Sequence, residues 1–160
     1  MIRAIVAVDD LLGISAPGHP PFNIPWHIPE DLQRFQRLTQ GDIVIMGATT
    51  YEAMTSALAG RRNIVISKTL KRVRQGFECI DDLASFLHTI DGDVWIIGGG
   101  KLYATALSFC DELYITHVRG NFNCDVFFPS YEQDFSLLSK SPMQQSAGLL
   151  FSYAMYKRKS

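Results

Sequence analysis

Asp93-Val94-Trp95-Ile96-Ile97-Gly98-Gly99-Gly100-Lys101 is the stretch whose reading decides the fold. Asp93 to Ile97 is a short apolar run of the kind a strand shows when both its faces are covered. Three glycines then break it, and Lys101 to about Phe109 reads as a helix. A buried strand, a sharp glycine turn and a helix form the repeating unit of a parallel α/β sheet. The same arrangement lets backbone N–H groups approach a phosphate at the positive end of a helix. The glycines match neither G-x-G-x-x-G, since Tyr103 takes the last glycine position, nor a P-loop, since Leu102 follows Lys101. On their own they are as compatible with a plain sharp turn as with a ligand cradle.

Outward from this unit the pattern repeats. Ile2 to Val8, Asp42 to Met46, Arg62 to Ser67 and Leu113 to Val118 are apolar strand candidates, and Phe77 to Ile80 is a briefer one. Between them, Pro29 opens a helix that reaches about Thr39 and stops at Gly41. Thr49 or Thr50 can cap a second helix through Leu58, and Asp81 a third from Asp82 to about His88. Phe135 to Ser139 and Leu149 to Lys157 read as antiparallel strands joined around Pro142 and Gly148. The expected fold is therefore α/β: a mostly parallel central sheet with an antiparallel C-terminal edge hairpin, flanked by about four helices. No repeat or linker divides residues 1–160, so one domain is expected. Gly13 to Pro25 carries Pro17, Gly18, Pro20, Pro21 and Pro25 and is too proline-rich for helix or sheet. A loop of that length inside a compact domain is usually functional.

Composition narrows the partners. The 160 residues carry 15 Lys+Arg against 16 Asp+Glu, a net charge of −1, which offers nothing to attract nucleic acid or an anionic membrane. Ala4 to Val8 is too short for a signal-peptide core or a membrane span. Cys79, Cys110 and Cys124 make no disulfide framework and, with the four histidines, no zinc pattern. A cytoplasmic monomer acting on a small molecule, without a metal, is the expectation. Among candidate groups Asp31 shares a helix face with Phe35 and Leu38. It either points inward, where it needs a partner, or simply complements the helix dipole.

Taken in order, the segments resemble those of dihydrofolate reductase. The likeness runs from Ile5-Val6-Ala7 through Pro25-Trp26-His27-Ile28-Pro29-Glu30-Asp31-Leu32, close to that family's P-W-x-x-P-x-D-x, to Phe35 and Val44-Ile45-Met46-Gly47. It continues with Thr50-Tyr51-Glu52, Gly60-Arg61-Arg62-Asn63-Ile64, Ile96 to Gly100 with Tyr103, Leu113 to His117 and Asp125 to Pro129. The resemblance implies reduction of 7,8-dihydrofolate by NADPH, with hydride delivered to C6 and a proton to N5. It makes Asp31 the pterin anchor, Thr116 the support of its carboxylate and Trp26 a wall that holds water nearby. It assigns Ile5, Ala7, Leu32, Phe35, Met54, Leu58, Ile97 and Tyr103 to the substrate pocket and Arg61 to the substrate's α-carboxylate. On the cofactor side it implies Ala7 and Ile14 at the nicotinamide. Gly47, Thr49, Thr50, Gly98, Gly99, Gly100, Lys101 and Leu102 would then surround the pyrophosphate, with Gly98–Gly99 a cis peptide. The resemblance extends to antifolate inhibitors as ligands.

Three positions depart from the family pattern. Ala48 stands where many members carry an arginine near the cofactor's 2′-phosphate, leaving Ser67, Lys68 and Lys101 as candidate contacts. The Gly13–Pro25 loop is longer and richer in proline than in typical bacterial members. Cys124 replaces the usual glycine before Asp125, in the loop that hydrogen-bonds the lid. A pyrimidine reductase of the same fold would lack the P-W-x-x-P-x-D pattern, and a non-catalytic binding protein would have little use for Asp31, Thr116 and Arg61 together.

Overall fold

The computed structural model describes residues 1–160. Five parallel strands form the centre: β1 (Ile2–Val8), β3 (Ile43–Gly47), β4 (Arg62–Ile66), β5 (Phe77–Ile80) and β6 (Val94–Gly98). β7 (Glu112–Val118) joins them in parallel beside β1, and β11 (Leu149–Arg158) runs antiparallel to β7. With β10 (Gln144–Ser146) at one edge, the sheet order is β10-β11-β7-β1-β6-β3-β4-β5, and β9 (Phe135–Lys140) also pairs with β11. The expected mostly parallel sheet with an antiparallel C-terminal edge is what the chain adopts. Four helices flank it: α1 (Pro29–Thr39), α2 (Ala48–Ala53), α3 (Leu83–Thr89) and α4 (Gly100–Ala106), the last continued by a short 3₁₀ turn over Leu107–Phe109.

The apolar runs form strands because alternate residues feed two cores. On one face Ala4, Val8, Ile45, Ile64 and Ile96 meet; on the other Ile5, Val44, Met46, Val65 and Trp95. Ile45, Ile64 and Ile96 are fully buried, and burial of an isoleucine side chain stabilises by about 1.5–3 kcal/mol. A third, smaller cluster joins Trp26, Ile28, Val118 and Phe151 where the lid loop enters α1.

Four local expectations need correction. β2 (Gly13–Ser15) forms inside the stretch expected to be loop throughout, and pairs with β8 (Val126–Phe127), which the sequence also hid. Both strands are too short to show a period. α2 begins at Ala48, uncapped by Thr49 or Thr50, and ends at Ala53 rather than Leu58. The Arg74 guanidinium takes the carbonyls of Tyr51 and Met54, so a residue on the far side of β4 terminates this helix. α3 starts one residue later than expected, because Asp82 rather than Asp81 accepts the Ser85 N–H at 3.2 Å. β10 (Gln144–Ser146) likewise fills part of the connection between the two C-terminal strands. No helix is long and apolar enough to cross a membrane.

Candidate active site

α1 delivers the acid. Pro29 sets the first turn, Glu30 and Asp31 place negative charge at its positive end, and Gly41, at φ +83°, follows its close. Asp31 does turn inward: Thr116, buried on β7, donates its hydroxyl to Asp31 Oδ1 at 2.6 Å. Burial pushes the Asp31 carboxyl above the usual carboxylate range, against the Thr116 hydrogen bond and the positive charge of Arg34. Trp26, two residues before Ile28 at the helix N-cap, is buried with Ile28, Val118 and Phe151 and lies edge-on to Phe122 with ring centroids 5.1 Å apart.

The apolar residues expected around the acid fall largely together. Ile5, Met54, Phe35, Leu58 and Ile97 pack in one cluster on this face of the sheet. Leu32 is more exposed than a wall residue, at 55%. Tyr103 sits behind the wall: its hydroxyl donates to the Ile5 carbonyl at 2.6 Å and its ring meets Phe128. Beyond Met54 and Leu58 opens a groove of about 450 Å³ that also takes in Gln36 and Arg61. Arg61 is aimed by three bonds, to Gln36 Oε1 at 2.7 Å, Thr39 Oγ1 at 3.0 Å and the Ala59 carbonyl at 3.0 Å. Pro21 and Phe22 of the lid line the same groove, which the sequence did not indicate.

Across the sheet the site is made of backbone. β3 and β6 are neighbours, so their carboxyl ends bring Gly47 and Gly99 side by side as the N-caps of α2 and α4. Neither helix has a side-chain cap, which leaves first-turn amides facing the cleft. A Cβ on Gly99 would meet only Thr50 Oγ1, at 3.7 Å, so the space beside this cap is open. Gly98 lies at φ +120° with its peptide to Gly99 cis, against the Tyr103 ring. Uncapped amides around an open, glycine-walled space fit a pyrophosphate. Leu102 is buried in the core, and Ile14 packs beneath Gly100, so both border this cleft from within.

A second groove, of about 470 Å³, opens beside β4 and β5 and is lined by Ser67, Lys68, Lys71 and Asp81 among others. Lys101 stands on α4 and does not line it. Lys71, which the sequence reading did not single out, lines it beside Lys68. The Ser67 hydroxyl is already engaged by the Thr69 and Leu70 N–H groups.

The lid is tied down despite its prolines. Ser15 accepts the Asp125 N–H at 3.0 Å, and buried Asp9 accepts from Leu11, Gly13 and Phe122. Cys124 packs where a Gly13 side chain would stand, its Cβ 2.5 Å from an ideal Cβ there. The substitution at Cys124 therefore leaves the lid–loop contact in place.

A cleft at the carboxyl ends of parallel strands, with a buried acid on one side and uncapped helix starts on the other, defines an enzyme of the nucleotide-dependent α/β class. Comparison with known proteins is specific. The dihydrofolate reductase family model matches residues 1–158. The type 3 dihydrofolate reductase of Salmonella typhimurium is 43% identical over 110 residues, 68% of each chain. The dihydrofolate reductase of Bacillus subtilis is 30% identical over 143 residues, 86% of this chain and 85% of its own. In structure, the Enterococcus faecalis dihydrofolate reductase complexed with NADP(H) and RAB-propyl superposes with a TM-score of 0.89 at 25% identity, covering 100% of this chain and 97% of the other. The chain belongs to the dihydrofolate reductase family, the oxidoreductases that reduce dihydrofolate to tetrahydrofolate with NADPH.

Proposed function

We propose that residues 1–160 form one catalytic domain that reduces 7,8-dihydrofolate to 5,6,7,8-tetrahydrofolate, with hydride arriving at C6 and a proton at N5. The observation that carries the assignment of roles is the inward Asp31 carboxylate held by Thr116 at 2.6 Å. NADPH, when bound, supplies the hydride. Asp31 accepts hydrogen bonds from the pterin N3 and 2-amino groups, a two-pronged match that fixes the ring. Its charge favours the protonated substrate, with the proton reaching N5 through water beside Trp26. Ile5, Ala7, Leu32, Phe35, Met54, Leu58, Ile97 and Tyr103 form or back the walls of the ring pocket. An apolar pocket with few polar anchors suits a flat heteroaromatic ligand. Arg61 grips the α-carboxylate of the substrate tail; its planar fork, pre-aimed by Gln36 and Thr39, suits that group.

On the cofactor side Ala7 and Ile14 flank the nicotinamide. Gly47, Thr49, Thr50, Gly98, Gly99, Gly100, Lys101 and Leu102 surround the pyrophosphate from the two uncapped helix starts. Ser67, Lys68 and Lys71 receive the 2′-phosphate, in place of the arginine that Ala48 replaces. The enzyme works as a cytoplasmic monomer, its three free thiols in keeping with a reducing compartment, and its pterin pocket is also the seat of antifolate inhibitors. The test is the loss of NADPH absorbance with dihydrofolate, in the wild type and in Asp31→Asn. The wild type consumes both. Asp31→Asn keeps its fold and ligand binding but loses about 10²-fold or more in kcat near neutral pH. A near-normal kcat in that variant removes Asp31 from its role.

A further inference from the structure

Arg34 is the one charged residue with a buried nitrogen, Nη1, that has no hydrogen-bond partner. It lies three residues after Asp31 on α1, hence on the same side of the helix. Its Cζ sits 4.1 Å from the centre of the Tyr153 ring and 5.7 Å from that of Tyr114. Tyr114 is on β7 and Tyr153 on β11, and Tyr153 stands directly across from Thr116 in the ladder. The guanidinium is therefore held at the seam between these strands, beside the threonine that bonds Asp31. It takes part in no ion pair at contact distance.

A cation withdrawn from water needs compensation. The two tyrosine faces supply part of it. The remaining charged neighbours on α1 are Asp31, Arg37 and Glu30; β7 and β11 contribute only Thr116, Tyr114 and Tyr153. Of the carboxylates, Asp31 is the one that acts directly on Arg34, and Arg37 opposes it. We infer that Arg34 is a positioning residue for the reaction: stacked between Tyr153 and Tyr114, its guanidinium is the through-space counter-charge that keeps the Asp31 carboxylate ionised in an apolar pocket. This rests on the reading of Asp31 as the pterin anchor. Arginine suits the place because a planar guanidinium stacks on rings and stays charged when partly desolvated.

The consequence is a pH effect with a definite sign. Burial favours the neutral form of Asp31, and the cation favours the ionised form. Removing the cation raises the pH at which the Asp31 carboxylate takes up a proton, so the acid-side fall of kcat, where the ionised anchor is lost, moves to higher pH. The experiment is kcat against pH, from about pH 5 to about pH 9, at saturating NADPH and dihydrofolate. Arg34→Gln shifts the acid-side midpoint up by about one pH unit. Arg34→Met, which refills the space between the rings without charge, gives the same displacement should the glutamine variant fold poorly. Arg34→Lys keeps the charge and stays near the wild-type midpoint. Uncharged variants that lose Tm or kcat while keeping the wild-type midpoint overturn the inference and leave Arg34 a packing residue. Asp31→Asn separates the two readings: it abolishes the acid-side limb if Asp31 is the titrating anchor, and a limb that survives there refutes the anchor itself.

Discussion

The two sides of the cleft are made of different material. On the proposed substrate side, side chains are held in place: Asp31 on its threonine, Arg61 on Gln36 and Thr39, with apolar rings and methyls between. On the proposed cofactor side, the groups presented are backbone amides, and the positions that shape it are those lacking a side chain, Gly47 and Gly98 to Gly100. A site of side chains can lose its chemistry while keeping its shape. A site of backbone can lose its shape by gaining a single methyl. The two halves should therefore fail differently under mutation.

After Asp31→Asn, the largest effect should come from Arg61→Leu. A charge-assisted fork is worth about 1.5–3 kcal/mol, so KM for dihydrofolate should rise by roughly 10- to 100-fold. The KM for NADPH should stay put. Steady-state titration of each substrate checks both, and an unchanged KM for dihydrofolate takes Arg61 out of the tail site. Gly100→Ala is the mirror experiment. An ideal Cβ there lies 2.5 Å from Val126 Cγ1, so β8 must yield and the glycine turn with it. Overpacking of this kind costs about 1–3 kcal/mol, to be read as a lower Tm and a weaker affinity for NADPH. Dihydrofolate affinity measured without cofactor should not change. If both ligands weaken equally, the halves are not separable.

The smallest expected effect is on cofactor choice. Lys68→Ala combined with Lys71→Ala should narrow the NADPH-over-NADH preference by about fivefold, since exposed charge pairs are worth at most about 1 kcal/mol. Lys101→Ala should leave the ratio unchanged, because Lys101 lies outside that groove. A ratio that moves only with Lys101 would return the 2′-phosphate to α4.

How far the chain could be read depended on how far apart the deciding groups stand. α1 was legible because Pro29 and the acidic first turn lie within it and Gly41 lies just past its C-cap. The central strands were legible because their apolar runs were unmistakable. α2 misled, because its end is set by Arg74, some twenty residues on. β2 and β8 were invisible because two or three residues carry no period, and they exist only by pairing with each other. Within the site, Asp31, Arg61 and the glycines were found through the resemblance to a family pattern. Lys71 and Arg34 were missed because each gains meaning only from residues that the fold brings beside it.

Sequence alone therefore determined the class of fold and the order of most of its elements, since period, caps and turns act over a few residues, and the family resemblance singled out Asp31 as the acid to examine. Sequence left open whether Asp31 complements a helix dipole or faces a pocket. Tertiary structure decided that, by carrying Thr116 across 85 residues of chain to within 2.6 Å of its carboxylate. It also decided which lysine faces the groove beside β4 and how Arg34 is caught between two tyrosines. Those outcomes follow from burial and electrostatics, which depend on distance through space rather than along the chain.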